Sequence, residues 1–298
     1  MTLPRQVLPG QFYMLTRRCT QRQFLLRPDE ETNNAFVYCL AEAAQRFQIE
    51  LIASQQMSNH HHTILFDRCG RIIEFTQHFH KMLAKCQNAL RGRWENMWSI
   101  EPPCIVQLVD PSDVIDKIVY VATNPVLDHL VDRVDHWPGA RTVRAMLKQQ
   151  PIIARRPAHF FRKRGLMPET AVLSFVVPPE LGDPDTVRRI LHERIAAVEL
   201  EQARLRAATG KRILGRRGVL DQSWRDSPTS YEPRRNLRPR VAARSKWSRL
   251  EALYRNSAFL SAYRNARAAW LRKAPIPFPA GTYWLARFMG VPVATLEI

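Results

Sequence analysis

The chain has 298 residues, 45% hydrophobic and 24% charged, which suits a globular protein of one well-packed domain with an appendage, or of two domains. Its 45 Lys and Arg outnumber 27 Asp and Glu, for a net charge of +18 and a pI near 10.5; a field of that sign favours a polyanion, most simply nucleic acid, while an anionic membrane surface is disfavoured because no segment sets basic residues beside an apolar helical face. The five cysteines (Cys19, Cys39, Cys69, Cys86, Cys104) form no CxxC pair, the start lacks a signal-peptide run, and no stretch approaches the roughly 20 apolar residues of a membrane span, so free thiols in a reducing cytoplasm are expected.

In chain order, residues 10–20 (GQFYMLTRRCT) carry β-forming side chains and predict a first strand. From Asp29 to about Phe47, acidic residues head a segment with Phe36, Leu40, Ala43 and Phe47 at helical spacing, which predicts a helix. Residues 49–57 and 60–67 read as short strands joined by a Ser58-Asn59 turn. A second helix is expected from Arg71 to about Leu90, with Ile72, Phe75, Phe79, Met82, Leu83 and Cys86 on its inner face. Cys104 to Val109 reads as a strand, with helix as the alternative, and Pro111-Ser112-Asp113 opens a third helix running to about Thr123. The order βαββαβ plus an extra helix predicts an α+β fold. Its core is a ferredoxin-like or RRM-like sheet of four to five antiparallel strands, with two helices on one face. The strands carry no RRM aromatic signature, which leaves RNA binding by base stacking without support.

Beyond Trp137-Pro138-Gly139 the composition shifts, and the expected division is residues 1–145 and a basic, mostly helical accessory region at 146–298. Arg155, Arg156, Arg162, Lys163 and Arg164 cluster around Phe160 and Phe161, and Thr186 to about Ala208 reads as a helix. Residues 211–246 are rich in Arg, Pro and Ser, including Arg216, Arg217, Arg234, Arg235, Arg238, Arg240 and Arg244; this is either a solvated arm or a clamp on a nucleic-acid backbone. A last helix is expected from Trp247 to Lys273, and PFPAGTYW ends in a turn.

Two residues carry the first chemical signal. Residues i and i+2 of a strand share a face, so His60 and His62 can offer two imidazoles to one ion, while His61 points to the opposite face. Residues i and i+4 of a helix also share a face, so Tyr120 and Asn124 can present a phenol and an amide oxygen together, provided the helix carries to Asn124 or through a kink at Pro125. A divalent ion held by His60, His62 and Asn124 is a neutral-ligand site that keeps its full charge for a phosphodiester, and Mg²⁺ or Mn²⁺ fits that use. Tyr120 would be the nucleophile. A phenol with a pKa near ~10 needs a cation or base to activate it, and Lys117, one turn earlier, is a candidate. Read alone, Tyr120 beside Ile118 and Val119 is equally a buried aromatic of an amphipathic helix.

Met57-Ser58-Asn59-His60-His61-His62, then Tyr120-Val121-Ala122-Thr123-Asn124-Pro125-Val126, then Asp135-His136-Trp137-Pro138 resembles the single-tyrosine HUH transposases, and most of all the REP-associated tyrosine transposases. The resemblance spans about residues 8–140. It implies His60 and His62 as metal ligands, Tyr120 as nucleophile, Asn124 as third ligand, and cutting of single-stranded DNA near hairpins through a 5′-phosphotyrosine link, by a nucleoid-associated monomer or homodimer. Ser58 stands where the family carries proline, and His61 stands where it carries an apolar residue, so His61 would either compete for metal or face solvent.

The alternative is an inactive or domesticated relative that holds structured DNA with its arginines, and a weaker one is an RRM-like RNA binder. Arg17, Arg18, Arg22, Lys81 and Lys85 are candidates to line the DNA path, against a plain solvated surface. Trp94 and Trp98 either stack on an unpaired base or cap the core.

Overall fold

The computed structural model describes residues 3–140, 142–232 and 239–295. The chain opens with strand β1 (Gln11–Arg18), helix α1 (Glu30–Phe47), the hairpin β2 (Glu50–Gln56) and β3 (His60–Asp67), helix α2 (Ile72–Arg91) and strand β4 (Cys104–Leu108). Asp29 caps α1 by accepting from the Thr32 amide at 2.9 Å, and Gln48 in the left-handed region ends it. Gly92 ends α2 in the same conformation, at φ 61°.

The sheet order is β2-β3-β1-β4 with antiparallel junctions throughout. A fifth strand, β7 (Val241–Ala242), pairs with β4 in parallel, so the sheet is mixed rather than antiparallel. This corrects the sequence expectation: the short strand lies inside the arginine-rich stretch, where two residues give no alternation to read.

β1 is central, and its consecutive apolar residues feed two cores. Tyr13 and Leu15 join Phe36, Leu40, Phe75 and Phe79 under α1 and α2. Phe12 and Met14 join Ile64 and Phe66 beneath helix α3 (Pro111–Leu127), through Val114, Ile118 and Ala122. Each fully buried Phe contributes about 1.5–3 kcal/mol through removal from water. Of the expected inner face of α2, Met82 is only partly buried. Both sheet faces are therefore covered, not one.

α3 does not stop near Thr123. It runs through Pro125 to Leu127, with the Asp128 amide still donating to the Asn124 carbonyl at 3.0 Å. The turn that follows is pinned to β2, where Trp137 Nε1 donates to the Gln56 carbonyl at 2.8 Å. Gly139 lies against that indole, and a Cβ there would overlap it.

The remaining elements pack onto this framework: α4 (Thr142–Lys148), the hairpin β5 (Ile152–Arg155) and β6 (Thr170–Leu173), α5 (Pro184–Thr209), α6 (Gly215–Asp221), α7 (Lys246–Leu271) and α8 (Trp284–Met289), which follows where the sequence suggested a terminal turn. Ala154, Ala171 and Leu173 enter the α1–α2 core, and Val187, Leu191 and Ile195 of α5 enter the α3 core. Phe160 and Phe161 also pack on the first core, with Phe161 5.4 Å from the Tyr38 ring, so the aromatics of the basic cluster are structural. Among the described residues no helix is long and apolar enough to cross a membrane.

Candidate active site

Strand alternation turns His60 and His62 to the α3 side of the sheet, where their rings meet edge-on with centroids 4.8 Å apart. The cross-strand register pairs Thr16 with His62 and Arg18 with His60. His62 Nδ1 bonds Thr16 Oγ1 at 2.8 Å, and His60 Nδ1 bonds Asn59 Oδ1 at 2.6 Å. An amide oxygen can only accept, so Asn59 fixes the proton of His60 on Nδ1 and leaves Nε2 with its lone pair. Burial, then the charges of His62 and Arg18, hold His60 well below the ordinary imidazole value. Burial, then Arg18 and Lys117, bring His62 down to about 4. Both rings are therefore neutral near pH 7, which is the ligating form.

α3 delivers the other two groups. The Tyr120 ring is 40% exposed, so the reading of Tyr120 as a buried core aromatic does not hold. Its centroid lies 5.6 Å from that of His62, and Asn124, one turn on, interacts with both His60 and Tyr120. Asn124 is 5% exposed, and its Oδ1 is buried without a hydrogen-bond partner. A buried carbonyl oxygen left unpaired beside the free lone pair of His60 and the neutral ring of His62 is a site short of donors, and a cation answers that need. The donors therefore fit a divalent metal. Among the described residues no cluster of three or more His, Cys, Asp and Glu forms a metal site, so the ligand set rests on the amide.

Burial, then the Asp128 carboxylate, holds the Tyr120 phenol above its ordinary value, while Asn124 and Arg18 act against them. Lys117 is placed differently from the expected activating role: its ammonium lies over the ring, 5.7 Å from the centroid, and Arg18 is the cation that lowers the phenol. Asp128 is itself raised, by burial and then by Glu232.

These groups line a cleft of about 1040 Å³ whose opposite wall is the segment from Gln222 to Glu232. Arg18 makes a two-pronged ion pair with Glu232, both contacts at 3.0 Å, and Arg22 donates to the Ser230 carbonyl at 2.7 Å and lies 3.5 Å from Glu232. The Phe24 amide donates to the Asp226 carbonyl at 2.9 Å, and Ser227 Oγ to the Gln21 carbonyl at 3.0 Å. This part of the arginine-rich stretch is thus neither a solvated arm nor an open clamp.

The other sequence candidates fall elsewhere. Arg17 pairs in register with His61, so it points to the far face, as do Lys81 of α2 and Arg240, all three lining a second cleft. Lys85 is exposed on α2. Arg216 borders a small cavity beside Trp137, and exposed Arg217 sits 3.6 Å from Asp221. Arg244 pairs with Asp116 at 3.1 Å. Arg234, Arg235 and Arg238 lie outside the described residues. Trp98 caps the core at 8% exposure, and Trp94 is exposed. His61 neither reaches the metal donors nor meets solvent: it is fully buried, with its Nε2 2.8 Å from His80 Nε2.

Sequence reasoning missed Asn59, Thr16, Asp128 and Glu232. Asn59 directly precedes the histidines and Asp128 continues the Tyr120–Asn124 spacing by one turn, so both were open to a helical or turn argument; Thr16 and Glu232 depend on register and on a long-range contact.

No protein-family model matches the chain, and no curated protein does. Among solved structures it is similar to a REP-associated tyrosine transposase bound to a REP hairpin, at 17% identity and a TM-score of 0.41 over 48% of this chain and 84% of that one. It is also similar to a putative transposase from Deinococcus radiodurans R1, at 18% identity and a TM-score of 0.28 over 36% of this chain and 85% of that one. Both overlaps are partial, and neither assigns a role to any residue here.

Proposed function

We propose that the chain is a transposase-like, metal-dependent endonuclease that nicks and rejoins single-stranded DNA through a 5′-phosphotyrosine, at hairpin-bearing DNA. In this reading residues 1–145 form the nuclease unit, for which the β2-β3-β1-β4 order supports a ferredoxin-like βαββαβ arrangement, and residues 146–298 are its accessory region. The supporting observation is the convergence of Tyr120, His60, His62 and the unpaired Asn124 oxygen in one cleft beside Arg18 and Arg22.

His60, His62 and Asn124 would hold a Mg²⁺ or Mn²⁺ ion. When bound, such an ion supplies charge that polarises a phosphodiester and stabilises its transition state. Asn59 and Thr16 orient the two imidazoles from behind. Arg18 lowers the phenol toward its nucleophilic form, and Arg18 and Arg22 are positioned to take phosphate oxygens once Glu232 lets go. The Tyr120 phenol releases its proton to solvent as its oxygen attacks phosphorus; the new O–P bond links the tyrosine to the 5′ side, and the 3′ oxygen leaves with the electron pair of the broken bond and takes a proton from solvent to become a free hydroxyl.

The experiment is incubation of the protein with hairpin-bearing single-stranded oligonucleotides and Mn²⁺ or Mg²⁺. An adduct that survives SDS, disappears with EDTA and is absent from Tyr120→Phe is the expected result. Wild-type protein that forms no adduct across a broad substrate panel, yet binds structured DNA indifferently to chelator, would instead support a binding-only relative.

A further inference from the structure

On the far face of the sheet, a second cleft of about 1010 Å³ opens between α2, β4 and the segment before β7. Its described lining carries four cations, Arg5, Arg17, Lys81 and Arg240, against one carboxylate, Glu101. Arg17 reaches it because β1 alternates: Arg18 faces the Tyr120 cleft, and Arg17 faces away. The Arg17 guanidinium lies 5.7 Å from the Trp98 ring centroid, and its Nε is buried without a hydrogen-bond partner.

Arg240 is held by the carbonyls of Pro4 and Leu3, at 2.6 and 3.1 Å, which brings it beside Arg5. Burial, then the charge of Arg240, hold Arg5 below the ordinary guanidinium value, and burial lowers Arg17 and Arg240 in the same direction. Guanidinium groups drawn together and partly out of water are costly, and an anionic ligand offsets that cost.

The planar, two-pronged guanidinium suits a phosphate oxygen pair. Indole rings lie within the same walls, Trp98 buried and Trp284 with half its surface exposed. A cationic groove interleaved with aromatic surface matches a strand whose phosphates and unstacked bases alternate. A protein carboxylate would use the cations and leave the indoles idle.

We propose that this cleft is a second binding site for single-stranded DNA, in which the arginines take phosphodiesters and Trp284 stacks on an unpaired base, separate from the His60–Tyr120 cleft. The choice of DNA as the polyanion rests on the function proposed above; the site itself does not.

The test is photo-crosslinking of full-length protein in EDTA to a short single-stranded oligonucleotide carrying iododeoxyuridine, with adducts mapped to peptides. Crosslinks are expected on the peptides bearing Trp98 or Trp284, and they persist in Tyr120→Phe and His60→Ala. Trp284→Ala weakens binding roughly tenfold, the loss of one stacked base. Arg5→Gln lowers the slope of log K against log salt by about 0.7, one single-strand phosphate contact. Lys81→Glu, on an exposed side chain that leaves the core untouched, weakens binding as well. Crosslinks confined to peptides of the Tyr120 cleft, or unchanged affinity in both Trp284→Ala and Lys81→Glu, overturn the proposal and leave Tyr120 chemistry standing. Crosslinks here from a protein that never forms a Tyr120 adduct uphold this site and sink the proposed reaction. Equal competition by single-stranded RNA overturns the assignment to DNA.

Discussion

The Tyr120 ring meets the His62 imidazole edge-on, with centroids 5.6 Å apart and planes at 66°, although one residue rides on α3 and the other on β3. The phenol is partly buried beside that imidazole, where its anion is disfavoured, and Asp128 adds repulsion. Asp128→Asn removes that repulsion and is expected to lower the pH at which Tyr120 ionises. The measurement is an alkaline absorbance titration of tyrosinate, subtracting the same titration of the Tyr120→Phe background. An unmoved Tyr120 titration in Asp128→Asn would show that the carboxylate does not govern the phenol.

Asn124 tests the metal set without any DNA. Removing the unpaired Oδ1 offsets the loss of the amide's interactions with His60 and Tyr120, so Asn124→Leu is expected to leave metal-free stability within about 1 kcal/mol of the parent. In the parent, Mn²⁺ at a hundred times its dissociation constant stabilises the fold by about 2.7 kcal/mol. Asn124→Leu is expected to lose most of that gain, as His60→Ala does. Chemical unfolding with and without Mn²⁺ reads both effects, and a full metal response in Asn124→Leu would remove the amide from the ligand set.

Much of this site was legible because short-range rules govern it. The i, i+2 spacing of His60 and His62 fixes a shared face once 60–67 is a strand, and the i, i+4 spacing of Tyr120 and Asn124 fixes another once the helix outlasts Pro125. Strand boundaries in β1 to β3 followed from β-forming runs and a polar turn. Longer-range facts were not legible. Whether Arg17 or Arg18 faces the cleft depends on which residue of β1 opposes His60, and no local pattern sets that register. The docking of 222–232 over the cleft depends on a carboxylate in an arginine-rich stretch whose composition suggests solvation. The burial of His61 was hidden for a similar reason: its partner His80 sits on α2, and two imidazoles that satisfy each other in a core look from sequence like surface histidines.

Glu232 holds the Arg18 fork that faces the cleft, so an incoming phosphate competes with a carboxylate already there. The pair is 45% exposed on each side, and such a contact adds at most about 1 kcal/mol to stability. Glu232→Ala is therefore expected to leave unfolding nearly unchanged while tightening single-stranded DNA binding several-fold. Because it frees both Arg18 and Arg22, the slope of log K against log salt should steepen by roughly 0.7 for each arginine that finds a phosphate. Fluorescence anisotropy across a salt series measures this. Equal affinity and slope in parent and variant would mean that the strand passes without displacing the arm.

Acid is expected to destabilise the fold well above the range where carboxylates protonate. His62 falls to about 4 in the folded protein against an ordinary value of 6.5, and burial depresses His60, His61 and His80 in the same direction. Below the unfolded value the unfolded chain binds protons that the folded chain refuses, so stability is complete above it and falls with pH until the folded imidazole protonates too. Each such histidine contributes a slope of up to about 1.36 kcal/mol per pH unit in that window. Asp29 does not blur the result: despite its burial, hydrogen bonds from Arg91 and Thr32 hold it below its ordinary value of 3.8, so its stabilisation is lost only at lower pH. His61→Leu removes one buried imidazole from the far side of β3, leaving the metal donors in place. Urea unfolding of metal-free protein between about pH 7 and pH 5 should give a shallower loss of stability in His61→Leu than in the parent, whatever its absolute stability. Parallel curves would show that His61 takes up protons equally in the folded and unfolded chain, and that its burial against His80 is not maintained in solution.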